Sequence, residues 1–124
     1  MNHPRRSAAA TLAMLALTLL LAVTACGGGT PAPAATGPVK EMVITIAGGA
    51  VSPPFTRVEV TRGQAMRITV TSDVADQAHV HGFDKRLDLT PGVAGTIEFV
   101  ADAPGIYEVE VHKQELPLFQ LLVR

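Results

Sequence analysis

From Lys40 onward the chain alternates apolar and polar residues in short runs, and Gly, Pro or Asp breaks each run. Lys40 to Ala47 reads KEMVITIA and puts Met42, Ile44 and Ile46 on one face before Gly48-Gly49 ends it. Phe55 to Val60 reads FTRVEV and sets Val58 and Val60 against Arg57 and Glu59, with a turn at Arg62-Gly63. Met66-Arg67-Ile68-Thr69-Val70 alternates cleanly, and Thr71 to Asp76 reads as a polar loop. Ala78–Phe83 and Leu87–Leu89 are shorter strand candidates, followed by a turn at Pro91-Gly92. Ile97 and Phe99 face inward on the next strand, Tyr107 to Val111 forms another, and Phe119 to Val123 closes the chain. A period of two is that of a strand with one buried face, and no helical pattern of useful length appears in this region. About seven or eight short strands at this spacing predict an all-β Greek-key β-sandwich.

Asp102-Ala103-Pro104-Gly105-Ile106-Tyr107 carries topology information. A tyrosine after such a turn often bonds back to a nearby backbone group, the corner that closes Greek-key sandwiches. Tyr107 is the only tyrosine of the chain. The other reading is a tyrosine at the edge of the core.

The first part of the chain has a different character. Arg5 and Arg6 precede an apolar stretch from Ala8 to Val23, which is short for a bilayer span of roughly 20 residues. A basic start, an apolar core and small residues before a cut site define an export signal. Val23-Thr24-Ala25-Cys26 ends the stretch on the only cysteine and resembles the lipobox of a bacterial lipoprotein signal peptide. The resemblance implies a signal peptide over 1–25, cleavage before Cys26, and a diacylglycerol on its thiol. The protein is then expected outside the cytoplasm, lipid-anchored to the bacterial membrane. Residues 26–38, dense in Gly, Pro and Ala, read as a flexible tether. Residues 39–124 form one small domain with one modest core.

Without Arg5 and Arg6, eight of the ten basic residues remain against eleven acidic ones, a formal net charge of −3. No basic stripe exists, so nucleic acid is not an expected partner. A single cysteine leaves no disulfide to support the fold.

Three histidines lie beyond the leader: His79, His81 and His112. Residues two apart on a strand share a face and sit ~6.6 Å apart along it, so His79 and His81 can turn their rings toward one ion. Imidazole suits copper, zinc and nickel, and copper(II) wins most affinity contests. His112 follows the penultimate strand and can supply a third nitrogen if the fold brings it near His81. The alternative stays open. Ala78 and Val80 on the opposite parity put both histidines outward, and His112 shares the parity of Glu108 and Glu110, as on a solvated face. Phe83 shares the parity of the histidines, which makes their face partly apolar. Asp73, Asp76 and Asp84 flank this region, either as acceptors that orient imidazoles or as ordinary turn residues.

The folded part, roughly Glu41 to Arg124, resembles a cupredoxin domain like those of cytochrome oxidase subunit II and related extracytoplasmic proteins. Three segments carry the resemblance: Val60-Thr61-Arg62-Gly63-Gln64-Ala65-Met66-Arg67-Ile68-Thr69-Val70, His81-Gly82-Phe83, and Pro104-Gly105-Ile106-Tyr107. In that family a histidine at the His81 position is the first copper ligand. A cysteine near the end of the penultimate strand, then a histidine and often a methionine, complete the site. Here the cysteine position falls at or near Val111, and the loop Lys113 to Pro117 is short. No methionine follows Met66, and the axial position near Leu118 is apolar. A blue-copper centre needs the thiolate. The resemblance therefore implies the fold without blue-copper electron transfer, with His79, His81 and His112 as a replacement set for copper.

No nucleophile turn accompanies Ser52 or Ser72, so an enzyme is not expected. Two functions remain. One is a monomeric, membrane-anchored domain that handles copper. The other is a metal-free interaction or structural module that meets an envelope protein through a strand edge or loop end.

Overall fold

The computed structural model describes residues 33–124. The expected signal peptide and the lipidation site at Cys26 lie outside the described residues. Among the described residues, nine strands form two sheets. In chain order they are β1 (Lys40–Ala47), β2 (Ala50–Ser52), β3 (Arg57–Val60), β4 (Gln64–Ser72), β5 (Asp76–Val80), β6 (Lys85–Leu89), β7 (Gly95–Ala101), β8 (Gly105–Val111) and β9 (Leu116–Val123). One sheet runs β2-β1-β4-β7 and the other β3-β9-β8-β5-β6. β1 lies parallel to β4, and β3 parallel to β9; the other pairs are antiparallel. The result is the expected all-β Greek-key sandwich.

Alternation places the core between the sheets. Ile44 and Ile46 of β1, Met66, Ile68 and Val70 of β4, and Ile97 and Phe99 of β7 line one inner face. Val58, Val60, Ala78, Val80, Val109, Val111, Phe119, Leu121 and Val123 line the other. Burying a side chain of this size is worth about 1.5–3 kcal/mol, and a slip of one residue would turn a whole strand's set to solvent. That penalty holds the register. A bulge between Val109 and Glu110 on the β8–β9 pair lets consecutive residues Leu118 and Phe119 both enter the core.

The strand count exceeds the sequence expectation by β2, a three-residue strand folded back on β1. Gly48 and Gly49 both take positive φ, 57° and 76°, the twist that a two-residue hairpin needs. The candidate strand Ala78–Phe83 stops at Val80. Gly82 at φ 79° and Asp84 at φ 49° are left-handed, and a strand cannot pass through that conformation. Phe83 therefore leaves the parity of the histidines and packs on Phe99 and Tyr107, each with ring centroids 4.7 Å away. The tyrosine corner forms: Tyr107 Oη donates to the Ala103 carbonyl at 3.1 Å.

The chain ahead of β1 is fastened to the sandwich. Thr36 N–H donates to the Gly63 carbonyl at 2.7 Å, and the Gln64 side-chain amide donates to the Pro38 carbonyl at 2.9 Å.

Candidate metal centre

His79 sits on β5 between Ala78 and Val80, which are both fully buried. Those neighbours point into the core, so His79 projects from the outer face of the five-stranded sheet. It is nevertheless only 7% exposed, because neighbouring side chains cover it. The His81 ring lies 4.2 Å from it, centroid to centroid, and the His112 ring meets it edge-on at 5.1 Å. His79 Nδ1 is 3.2 Å from His112 Nε2, and His79 Nε2 is 3.7 Å from the Asp84 carboxylate.

Backbone pairing explains the convergence. β5 runs antiparallel to β8, with His79 opposite Glu110. His81 is the first residue of the turn, yet its N–H donates to the Glu108 carbonyl at 2.9 Å and prolongs the ladder. At the other end, His112 N–H donates to the Gln77 carbonyl at 3.1 Å. The outer face of this strand pair therefore carries His79, His81, Glu110 and His112 together. His81 Nε2 is 2.8 Å from Glu110 Oε1, and His112 Nε2 is 3.6 Å from the same oxygen. One ligand atom from each of the four lies within 4.8 Å of the others.

Asp76 fixes the loop that follows His112. It is 3% exposed, and its carboxylate accepts from the N–H groups of Gln77, Lys113 and Gln114 and from the Gln114 side-chain amide. Burial alone would raise its pKa, but these donors outweigh it and hold the carboxyl below its ordinary value. The pKa of His79 is lowered as well, here by burial of its charged form. Burial first, then the charges of His81, Arg86 and His112, push its pKa down, and Asp84 only partly opposes them. The shift favours the neutral imidazole, the form that ligates metals.

All three sequence-predicted histidines meet at one place. The outward parity read for His79 and His81 is correct, but outward does not mean solvated for His79. Glu110 is the member that the sequence reading passed over. Its signal is its place two residues before His112 on the same face, a pattern that equally describes a solvent-facing acid. Of the three aspartates, Asp84 stands beside an imidazole, Asp76 binds the loop backbone, and Asp73 accepts from Gly48 N–H at 2.7 Å.

The spacing suits a small ion. Two nitrogens about 2.05 Å from one ion at angles of 90–110° stand about 2.9–3.3 Å apart, and the His79–His112 separation falls in that range. Opposite donors stand about 4.1 Å apart. The widest separation in the set, at most 4.8 Å, has to draw in by up to about 0.7 Å for opposite donors and up to about 1.5 Å for tetrahedral neighbours. Three nitrogens and one carboxylate oxygen fit copper(II) or zinc. They do not fit a blue-copper centre. Val111, at the thiolate position, is fully buried in the core, and Leu118, near the axial position, is 1% exposed. Both point away from the histidine face.

No protein-family model matches the sequence, and no curated protein does. Solved structures match in fold. A heme-copper terminal oxidase chain is 21% identical with a TM-score of 0.56, over 69% of this chain and 64% of that one. A copper binding protein solved in the apo form is 16% identical with a TM-score of 0.56, over 77% of this chain and all of that one. Auracyanin from Roseiflexus castenholzii is 16% identical with a TM-score of 0.55, over 71% of this chain and 99% of that one. This chain thus spans less than two thirds of the terminal oxidase chain it matches. The two-sheet topology and these likenesses agree, and the domain is a cupredoxin-like β-sandwich.

Proposed function

We propose that this protein is an extracytoplasmic, lipid-anchored domain that binds copper as cargo and does not carry out blue-copper electron transfer. One observation carries the reading: three imidazoles and one carboxylate converge within 4.8 Å on the outer face of β5 and β8. His79 is the buried nitrogen donor, with the Asp84 carboxylate 3.7 Å from its second ring nitrogen. His81 and His112 are the more accessible donors, and Glu110 supplies the negative charge. A cavity of about 470 Å³ beside Phe83 and Phe99 includes none of the four, which favours a bare ion over an organic cargo. The anchor is read from Val23-Thr24-Ala25-Cys26.

Titration of the full chain in detergent with Cu(II) and Zn(II), against His81→Ala, tests the reading. The expected result is one copper per chain, bound at least tenfold more weakly by the variant. Equal binding by both proteins rejects the site. Intact mass gives the anchor, because acylation adds diacylglycerol at Cys26 and a free thiol there rejects it.

A second reading has its own support. The four side chains already satisfy one another through the His79–His112 and His81–Glu110 contacts, as a cluster that needs no ion would. Under it the domain is an interaction or structural module of the envelope, and the same titration shows no metal bound.

A further inference from the structure

We infer that the cluster holds copper as Cu(II) and releases it on one-electron reduction. The inference rests on the copper reading above and adds the condition for release.

The donor set is the first reason. Three imidazole nitrogens and one carboxylate oxygen are borderline to hard ligands, whereas Cu(I) is held best by thiolate and thioether sulfur. Among the described residues the sulfur atoms belong to Met42 and Met66. Both lie in the other sheet, Met66 at 1% exposure within the core and Met42 packed against it. No sulfur donor from the described residues joins the four.

Spacing and charge act in the same direction. Cu(I) favours two nitrogens on opposite sides, about 4 Å apart, but His79 Nδ1 and His112 Nε2 stand 3.2 Å apart, as neighbouring ligands do. β5 and β8 hold that spacing through backbone pairing on both sides of it. The Glu110 carboxylate attracts a doubly charged ion twice as strongly as a singly charged one at equal distance.

The metal-free state supplies the last reason. No buried side-chain nitrogen or oxygen among the described residues lacks a partner, and the four donors bond pairwise. Departure of the ion therefore leaves no orphaned polar group inside the protein, which would otherwise oppose release. One electron from an external reductant, an enediol such as ascorbate, turns Cu(II) into Cu(I). Only dative bonds to the protein break. The N–H groups that rejoin His79 to His112 and His81 to Glu110 come from tautomer exchange with water on the released imidazoles.

Anaerobic competition of the full chain against a Cu(II) chelator and against bicinchoninate, a Cu(I) chelator, tests this. The expected dissociation constant is about 100-fold or more lower for Cu(II). Ascorbate should then move the copper from the protein to bicinchoninate. Glu110→Gln should weaken Cu(II) binding about tenfold and Cu(I) binding only about threefold, because it removes charge and keeps the shape. Cu(I) held as tightly as Cu(II), with binding that falls in His81→Ala, overturns the inference and leaves the copper site standing. No histidine-dependent binding of either ion overturns both.

Discussion

His79 Nδ1 and His112 Nε2 face each other across 3.2 Å, although 33 positions separate them in the chain. The contact joins the middle of β5 to the first residue beyond β8. The two rings differ in cover, His79 being buried and the His112 side chain 36% exposed. His79→Ala should therefore weaken copper binding and also cost about 1–2 kcal/mol of stability by opening a buried space. His112→Ala should weaken copper binding at almost unchanged stability. Urea unfolding of both variants beside a copper titration separates the two effects.

Arg86 lies opposite His79 on β6, and its positive charge is one cause of the low pKa of that imidazole. The same charge repels an incoming cation. Arg86→Gln should tighten copper binding about two- to fivefold, the range of a partly screened charge. The gain should shrink as salt rises, which a titration at two ionic strengths reads directly.

Val111 occupies the expected thiolate position but projects into the core, opposite to Glu110 and His112. Val111→Cys should therefore give no intense visible band with Cu(II), since its sulfur faces away from the imidazoles. An absorption spectrum of the copper-loaded variant checks the geometry, and a strong band near 600 nm, about the usual blue-copper region, would contradict it.

Asp76 holds the β8–β9 loop with acceptor-only oxygens. In Asp76→Asn one oxygen becomes an NH₂ facing N–H donors, and the cost should be about 2–3 kcal/mol. Its folded-state pKa lies below the ordinary 3.8, so its contribution is fully present above that value. It disappears as pH falls from there through the lower folded-state value. The stability gap between wild type and variant should be flat from neutral pH down to about 5 and close under more acid conditions. Denaturation midpoints across pH measure it.

Gly82 has φ 79°, and a Cβ placed there would collide with the Tyr107 ring at Cδ1 and Cε1. Gly82→Ala combines backbone strain with a collision against the corner tyrosine and should destabilise the domain by about 2–4 kcal/mol. Thermal unfolding reads the loss, and Tyr107→Phe, which keeps the ring, should cost only about 1 kcal/mol for the bond to Ala103.

Much of this fold is legible in local patterns. Val58/Val60, Ile68/Val70 and Ile97/Phe99 each announce an inward face through alternation. Ala50-Val51-Ser52 does not, because three residues are too few to show a period. The end of β5 at Val80 is not legible, because the left-handed turn after it falls on Asp84 as well as on Gly82, and aspartate adopts that conformation only in some turns. The site was half visible. Parity pairs His79 with His81, and Glu110 with His112. That the first pair lies beside the second depends on the β5–β8 register, a long-range choice set by core packing, so Glu110 stayed unassigned.

The seam between Thr36 and Gly63 has a geometric consequence. Gly63 N–H bonds Ala101, Arg62 N–H bonds Arg124, and Val123 pairs with Gly105, so the N-terminal segment enters at the pole where β8 begins. Glu110 stands five residues farther along β8 and His112 just past its end, seven residues from Gly105, roughly 17–24 Å away at 3.4 Å per residue. The point where the chain joins the sandwich and the cluster of imidazoles therefore stand at opposite poles of the domain.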